Sequence, residues 1–96
     1  MATSKIANSS DYKVRVQTIT DTDSTGSDHK NALVVPDSIP GYTPIGVVGW
    51  TELTMGTVYY YGLCITNNKI QYAWQTRNAS VVKNHSFNVY VLYKKN

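Results

Sequence analysis

Phe87, Val89, Val91 and Tyr93 alternate with Asn88, Tyr90, Leu92 and Lys94, and large side chains occupy both phases. A period of two is that of a β-strand, whose successive side chains point to opposite faces. A segment at the end of a chain frays unless it is held down, so both greasy faces need burial. One face can belong to the chain's own core. The other, carrying Tyr90 and Leu92, calls for a second sheet or a neighbouring subunit, and these two residues are the expected oligomer interface. The chain reads as a small all-β binding or structural module, not an enzyme.

The 96 residues suffice for one domain whose core is too small to enclose a deep cavity. Charged residues make up 16% and Tyr occurs eight times, a mixture suited to sheets with polar surfaces. The net charge of +3 is concentrated at the ends, in Lys5, Lys94 and Lys95. From Tyr12 to Tyr93, four Lys and two Arg face four Asp and one Glu, a balance of +1. No basic stripe follows a phosphate backbone, so nucleic acid is not an expected partner. Cys64 is the single cysteine; it cannot form an intrachain disulfide, and its apolar surroundings predict a buried, inert thiol. No apolar run approaches the roughly 18 residues of a membrane span, and no membrane insertion is expected. Residues 1–11 lack the pattern of a secretory signal. The glycosylation-type triplets at Asn8, Asn78 and Asn84 are best explained by chance in an Asn-, Ser- and Thr-rich chain.

Residues 1–11 read as a flexible arm or linker remnant, and 12–96 as the folded domain. Tyr12 to Thr20 alternates as a strand with one wet face. Asp21 to Asp28 reads as a loop, and His29 to Val35 as a strand stopped by Pro36. Pro40-Gly41 suits a type II turn, with Gly41 at the positive-φ position. Ile45 to Leu53 is a strand in which Gly46 and Gly49 mark a bulge or a bare backbone under a bulky neighbour such as Trp74. Thr57 to Thr66 and Ile70 to Thr76 form a hairpin through Asn67-Asn68-Lys69, since Asn tolerates the left-handed backbone of tight turns. Counting back from that turn pairs Tyr59 and Tyr61 with the Tyr72 and Trp74 face. Tyr60 then lies opposite, with Gln71, Ala73 and Gln75, in a patch that suits a sugar platform or a polar subunit contact. A polar loop from Arg77 to Ser86 leads to the last strand, and Val81-Val82 can add a short pairing segment. Six to seven strands with no helical period predict a small antiparallel β-sandwich, jelly-roll-like in outline.

Catalytic chemistry finds little support. His29 and His85 read as surface or rim residues, without the strained turn of a nucleophile. Glu52 is the single glutamate, whereas sugar hydrolysis needs two facing carboxylates. Asp21, Asp23 and Asp28 around Gly26 resemble a calcium loop, but position twelve is Ala32 instead of a bidentate Glu, and a solvated hairpin loop is the simpler reading. No cofactor is expected.

The run Gly41-Tyr42-Thr43-Pro44-Ile45-Gly46-Val47-Val48-Gly49-Trp50, followed by a central strand pair, Arg77-Asn78 and the ending Val89-Tyr90-Val91-Leu92-Tyr93-Lys94, resembles a known small β domain. It is similar to the C-terminal domain of tail fibre, baseplate and minor structural (receptor-binding) proteins of phages and prophages infecting Firmicutes. The resemblance covers residues 12–95. It implies a homotrimeric tip module in a virion tail, made in the bacterial cytoplasm, that attaches to a bacterial cell-surface saccharide. Candidate contacts are Trp50, Glu52, Tyr60, Gln75, Arg77 and Asn78, where aromatic rings stack on sugars and polar groups fix hydroxyls. A ligand-free domain that caps or trimerises a fibre, and a monomeric carbohydrate-binding module, are the alternatives.

Overall fold

The alternation at the end of the chain builds the middle of a sheet. The computed structural model describes residues 11–22, 29–53, 58–76 and 84–96. Among them are six strands: β1 (Tyr12–Thr22), β2 (His29–Val34), β3 (Tyr42–Glu52), β4 (Val58–Thr66), β5 (Lys69–Thr76) and β6 (Asn84–Lys95). They form two three-stranded antiparallel sheets. Sheet I has the order β1-β6-β3 and sheet II the order β2-β5-β4. The small all-β, sandwich-like architecture expected from the strand pattern is therefore present.

β6 pairs with β1 from Asn84 to Lys94 and with β3 from Phe87 to Lys95. Backbone bonds from Leu53 N to Ser86 O (3.0 Å) and from Asn96 N to Gly41 O (2.9 Å) extend the second ladder at both ends. Its inner phase, Phe87, Val89, Val91 and Tyr93, is at most 1% exposed and meets Ile70, Tyr72 and Trp74 of β5. The Phe87 ring lies 4.2 Å from Tyr60 and 5.1 Å, edge on, from Tyr72. Each such side chain contributes about 1.5–3 kcal/mol through burial.

Two turns follow the local chemistry. Gly41 has φ 82°, and Tyr42 N bonds to Ile39 O at 3.0 Å, so Pro40-Gly41 forms the expected turn. Asn67 and Asn68 have φ 51° and 61°, as a two-residue primed hairpin requires. In β3 the register slips by one residue at Ile45 and again at Val48. The bare backbone of Gly49 lies under Tyr90, not Trp74: a Cβ there would sit 3.2 Å from Tyr90 Cδ2.

A third slip changes the surface of sheet II. Tyr61 pairs with Ala73 but Cys64 pairs with Gln71, so Gly62 and Leu63 together oppose Tyr72. Gly62, at φ 66°, supplies the left-handed bend of a glycine bulge. One extra residue inverts the phase of everything before it. Tyr60 consequently pairs with Trp74 and is buried, while Tyr59 and Tyr61 are 54% and 46% exposed. This corrects the expected facing of the three tyrosines. Cys64 is likewise corrected: it is exposed, on the outer face of sheet II.

β1 also departs from its simple pattern. Ile19 is buried, whereas Val14 and Val16 are 56% and 51% exposed. The polar phase of β1 lies on the inner side of the sheet by register, and the segment after β2 meets it there, although Lys13 and Arg15 stay exposed. Arg15 Nε bonds to Asp37 Oδ2 at 3.1 Å. Gln17 donates to Val35 O at 3.1 Å and accepts from Asp37 N at 2.7 Å. Tyr93 Oη donates to Asp37 O at 2.6 Å, and Lys13 Nζ lies 4.7 Å from the Tyr42 ring centre.

Candidate functional site

Among the described residues, three places bring chemistry-bearing side chains together. The first is inside the sandwich. Asp21 and His85 are register partners on β1 and β6, and each is 3% exposed. Asp21 Oδ1 accepts from Lys30 Nζ at 2.6 Å, and Oδ2 accepts from Tyr72 Oη at 2.6 Å and Trp74 Nε1 at 3.2 Å. Tyr60 Oη and His85 Nδ1 are 2.5 Å apart, and the His85 ring meets the Trp74 indole edge on at 5.0 Å.

Burial alone would raise the Asp21 carboxyl. The hydrogen bonds from Lys30, Tyr72 and Trp74, with the Lys30 charge, outweigh it and hold the group below its usual range. The Tyr60 and Tyr72 phenols are pushed far up, first by burial. The negative charges of Glu52 and Asp21 add to this at Tyr60, and the bond to Asp21 adds to it at Tyr72. Both Asp21 oxygens are thus satisfied inside the protein, and the group ties β1, β2 and β5 together. Asp21 was expected in a solvated hairpin loop, with a calcium loop as the weaker alternative. It is instead a strand residue of the interior, because β1 runs on to Thr22. Asp23 and Asp28 lie outside the described residues. Among the described residues no three His, Cys, Asp or Glu side chains are grouped to hold a metal ion. His85, expected at the rim, is interior, while His29 is exposed.

The remaining sequence candidates do not converge on one surface. Trp50 is 44% exposed near the end of β3, followed by the exposed Glu52. Tyr60 is 7% exposed and committed to His85, which removes it from any direct ligand contact. Gln75 is exposed on the outer face of sheet II. Arg77 and Asn78, like Val81-Val82 and residues 1–10, lie outside the described residues.

The second place is the outer face of sheet I. Val14 pairs with Leu92 and Val16 with Tyr90, giving an apolar stripe beside a polar one. In the latter, Thr18 Oγ1 donates to Asn88 Oδ1 at 2.6 Å, Thr20 and Ser86 hydroxyls are 3.0 Å apart, and Thr51 and Tyr90 hydroxyls are 2.8 Å apart. Tyr90 and Leu92 are half-buried by their own sheet neighbours.

The third place is the outer face of sheet II. The register sets His29, Gln75 and Tyr59 in one row, Asn31, Ala73 and Tyr61 in the next, and Leu33, Gln71 and Cys64 in a third. Tyr59, Tyr61 and Asn31 escaped the sequence reading of contact residues, whereas Gln71 was already in its sugar-platform patch. Gly62 within an apolar strand was the signal that could have found them.

No protein-family model matches the chain, and no curated protein or solved structure matches it. Asp21 and His85 of the interior group are shut away from solvent, while the two outer faces carry exposed side chains.

Proposed function

We propose that the chain is a non-enzymatic attachment module of a phage tail tip, acting as a homotrimer that contacts saccharide on the bacterial cell surface. The observation that carries this reading is the outer face of sheet I. Val14, Val16, Tyr90 and Leu92 form an apolar stripe across edge strand β1 and central strand β6, and no described segment of the chain lies over it. Stripes of this kind mark association surfaces, and trimeric packing about a fibre axis buries three copies of it. The two sequence runs that resemble phage tail proteins also meet in space, since Thr43 and Pro44 pair with Lys94 and Tyr93. Three weak sugar contacts presented on one rigid body gain avidity by orders of magnitude over one contact.

Light scattering over a concentration series, together with adsorption to Gram-positive cell walls, tests the proposal. The expected result is a trimer that adsorbs, and a Val16→Asp variant that dissociates and adsorbs weakly. A trimer without adsorption supports the fibre-capping alternative instead. A monomer at every concentration overturns the association, and a monomer that also fails to adsorb overturns the whole reading.

A further inference from the structure

We propose that the outer face of sheet II is a saccharide platform built on Tyr59 and Tyr61, with Gln71, Gln75 and Asn31 as its hydroxyl-reading groups and Ala73 as its floor. The inference rests on the attachment reading and gives that function a place and a ligand class.

The geometry follows from register. Tyr59 and Tyr61 stand two residues apart on one strand, so their Cβ atoms are about 7 Å apart on the same face. Both rings are half exposed. Across the sheet, Tyr59 faces Gln75 and Tyr61 faces Ala73, and beyond them lie His29 and Asn31. Ala73 is only 5% exposed although it points outward, so the centre of the face is low. The result is a shallow saddle on β5, with Gln71 and Gln75 along the strand and Tyr61 and Asn31 on either side.

That chemistry selects its ligand. A pyranose offers a ring face of C–H groups and a rim of hydroxyls that both donate and accept. Tyr rings supply a flat, rigid, amphipathic surface at low entropic cost, and side-chain amides both donate and accept. Charge narrows the class further. Among the described residues no carboxylate points outward from sheet II, and Lys69 lies beyond the third row, beside the hairpin turn. A face on which no described Asp, Glu, Lys or Arg stands beside the tyrosines suits an uncharged glycan better than an anionic phosphate polymer.

The platform is also pre-formed. Directly beneath it, Tyr60 and Trp74 are fixed by His85 and Asp21, so the strands that carry the outer side chains are held before any ligand arrives. Trimer contacts through sheet I would leave the opposite layer, sheet II, facing away from the axis on all three subunits.

The test uses the full chain, with an array of uncharged oligosaccharides and with poly(glycerol phosphate) as the anionic probe. Positive hits are followed by amide chemical-shift mapping on the unsubstituted protein. Shifts confined to β2, β4 and β5 are expected. Tyr59→Ala and Tyr61→Ala should each weaken binding by about tenfold, as for the loss of a central aromatic contact, with the oligomeric state unchanged. Shifts centred on Trp50 and Glu52 overturn the platform, as does preference for poly(glycerol phosphate) or a tyrosine variant that changes the oligomeric state. Wall adsorption that survives both tyrosine substitutions also overturns it while leaving attachment intact. Failure of the unsubstituted protein to adsorb at all removes the attachment reading itself.

Discussion

Replacing Asp21 by Ala should be among the most damaging single changes in this domain, although it removes only a carboxyl group. Its partners Tyr72 and Trp74 are 3% and 0% exposed, so they cannot turn to water. Each buried donor left without an acceptor costs about 1–3 kcal/mol. Lys30, with 38% of its side chain exposed, can recover its solvation. The sum is about 2–6 kcal/mol, which brackets the cost of breaking a buried ion pair by removing one partner. For 96 residues the total stability is about 5–14 kcal/mol, and the variant should melt at least about 8 °C lower. Urea titration followed by tryptophan fluorescence measures the loss. Adding Tyr72→Phe to Asp21→Ala should cost at least about 1 kcal/mol less than it does alone, because the orphaned hydroxyl is gone. The same variant should remove part of the acid sensitivity. Asp21 has a lowered folded value, so its contribution is full above the unfolded value of about 3.9 and fades as pH falls through the folded one. An Asp21→Ala cost below about 1 kcal/mol, or additive substitutions at 21 and 72, refutes the network as a source of stability.

On the alkaline side Tyr60 and Tyr72 act in the opposite sense. Their folded values are raised, so stability is intact below about pH 10 and falls above it by about 1.4 kcal/mol per pH unit for each phenol; Tyr60→Phe should make the measured slope shallower. Gly62→Ala meets no atom within 4 Å but must adopt φ 66°, so it should cost about 1–2 kcal/mol from backbone strain alone, read by thermal melting. Gly49→Ala places its Cβ 3.2 Å from Tyr90 Cδ2 and should destabilise by about 1 kcal/mol or more; most of that loss should vanish in a Tyr90→Ala background, and a loss that persists there would argue against the ring contact.

Elements whose signals are local were legible in the chain. The alternation of β6, the Pro40-Gly41 turn and the Asn67-Asn68 hairpin each follow from a few neighbouring residues, and all three are present. What sequence could not supply was phase. The hairpin count carried Tyr60 outward because it assumed unbroken pairing, and one extra residue at Gly62 reversed it. β1 was misread for a different reason. Its Arg15 and Gln17 look solvated by composition, yet they are satisfied by Val35 and Asp37, about twenty residues away. The Asp21 group is similar, since Tyr72 and Trp74 join it only after two sheets have stacked. The contact candidates suffered directly from the phase error: Tyr60 was chosen where Tyr59 and Tyr61 are the accessible rings.

The position of β6 between β1 and β3 has a consequence during synthesis. Both flanking strands leave the ribosome long before their shared partner, and Tyr12 must wait for Lys94 to find its mate. Until then the nascent chain presents two unsatisfied edges, the kind of surface that invites mispairing with other chains. Closure over such sequence distances is also slow. This domain should therefore assemble only after translation has passed β6, and chains broken off earlier should be sticky and short-lived.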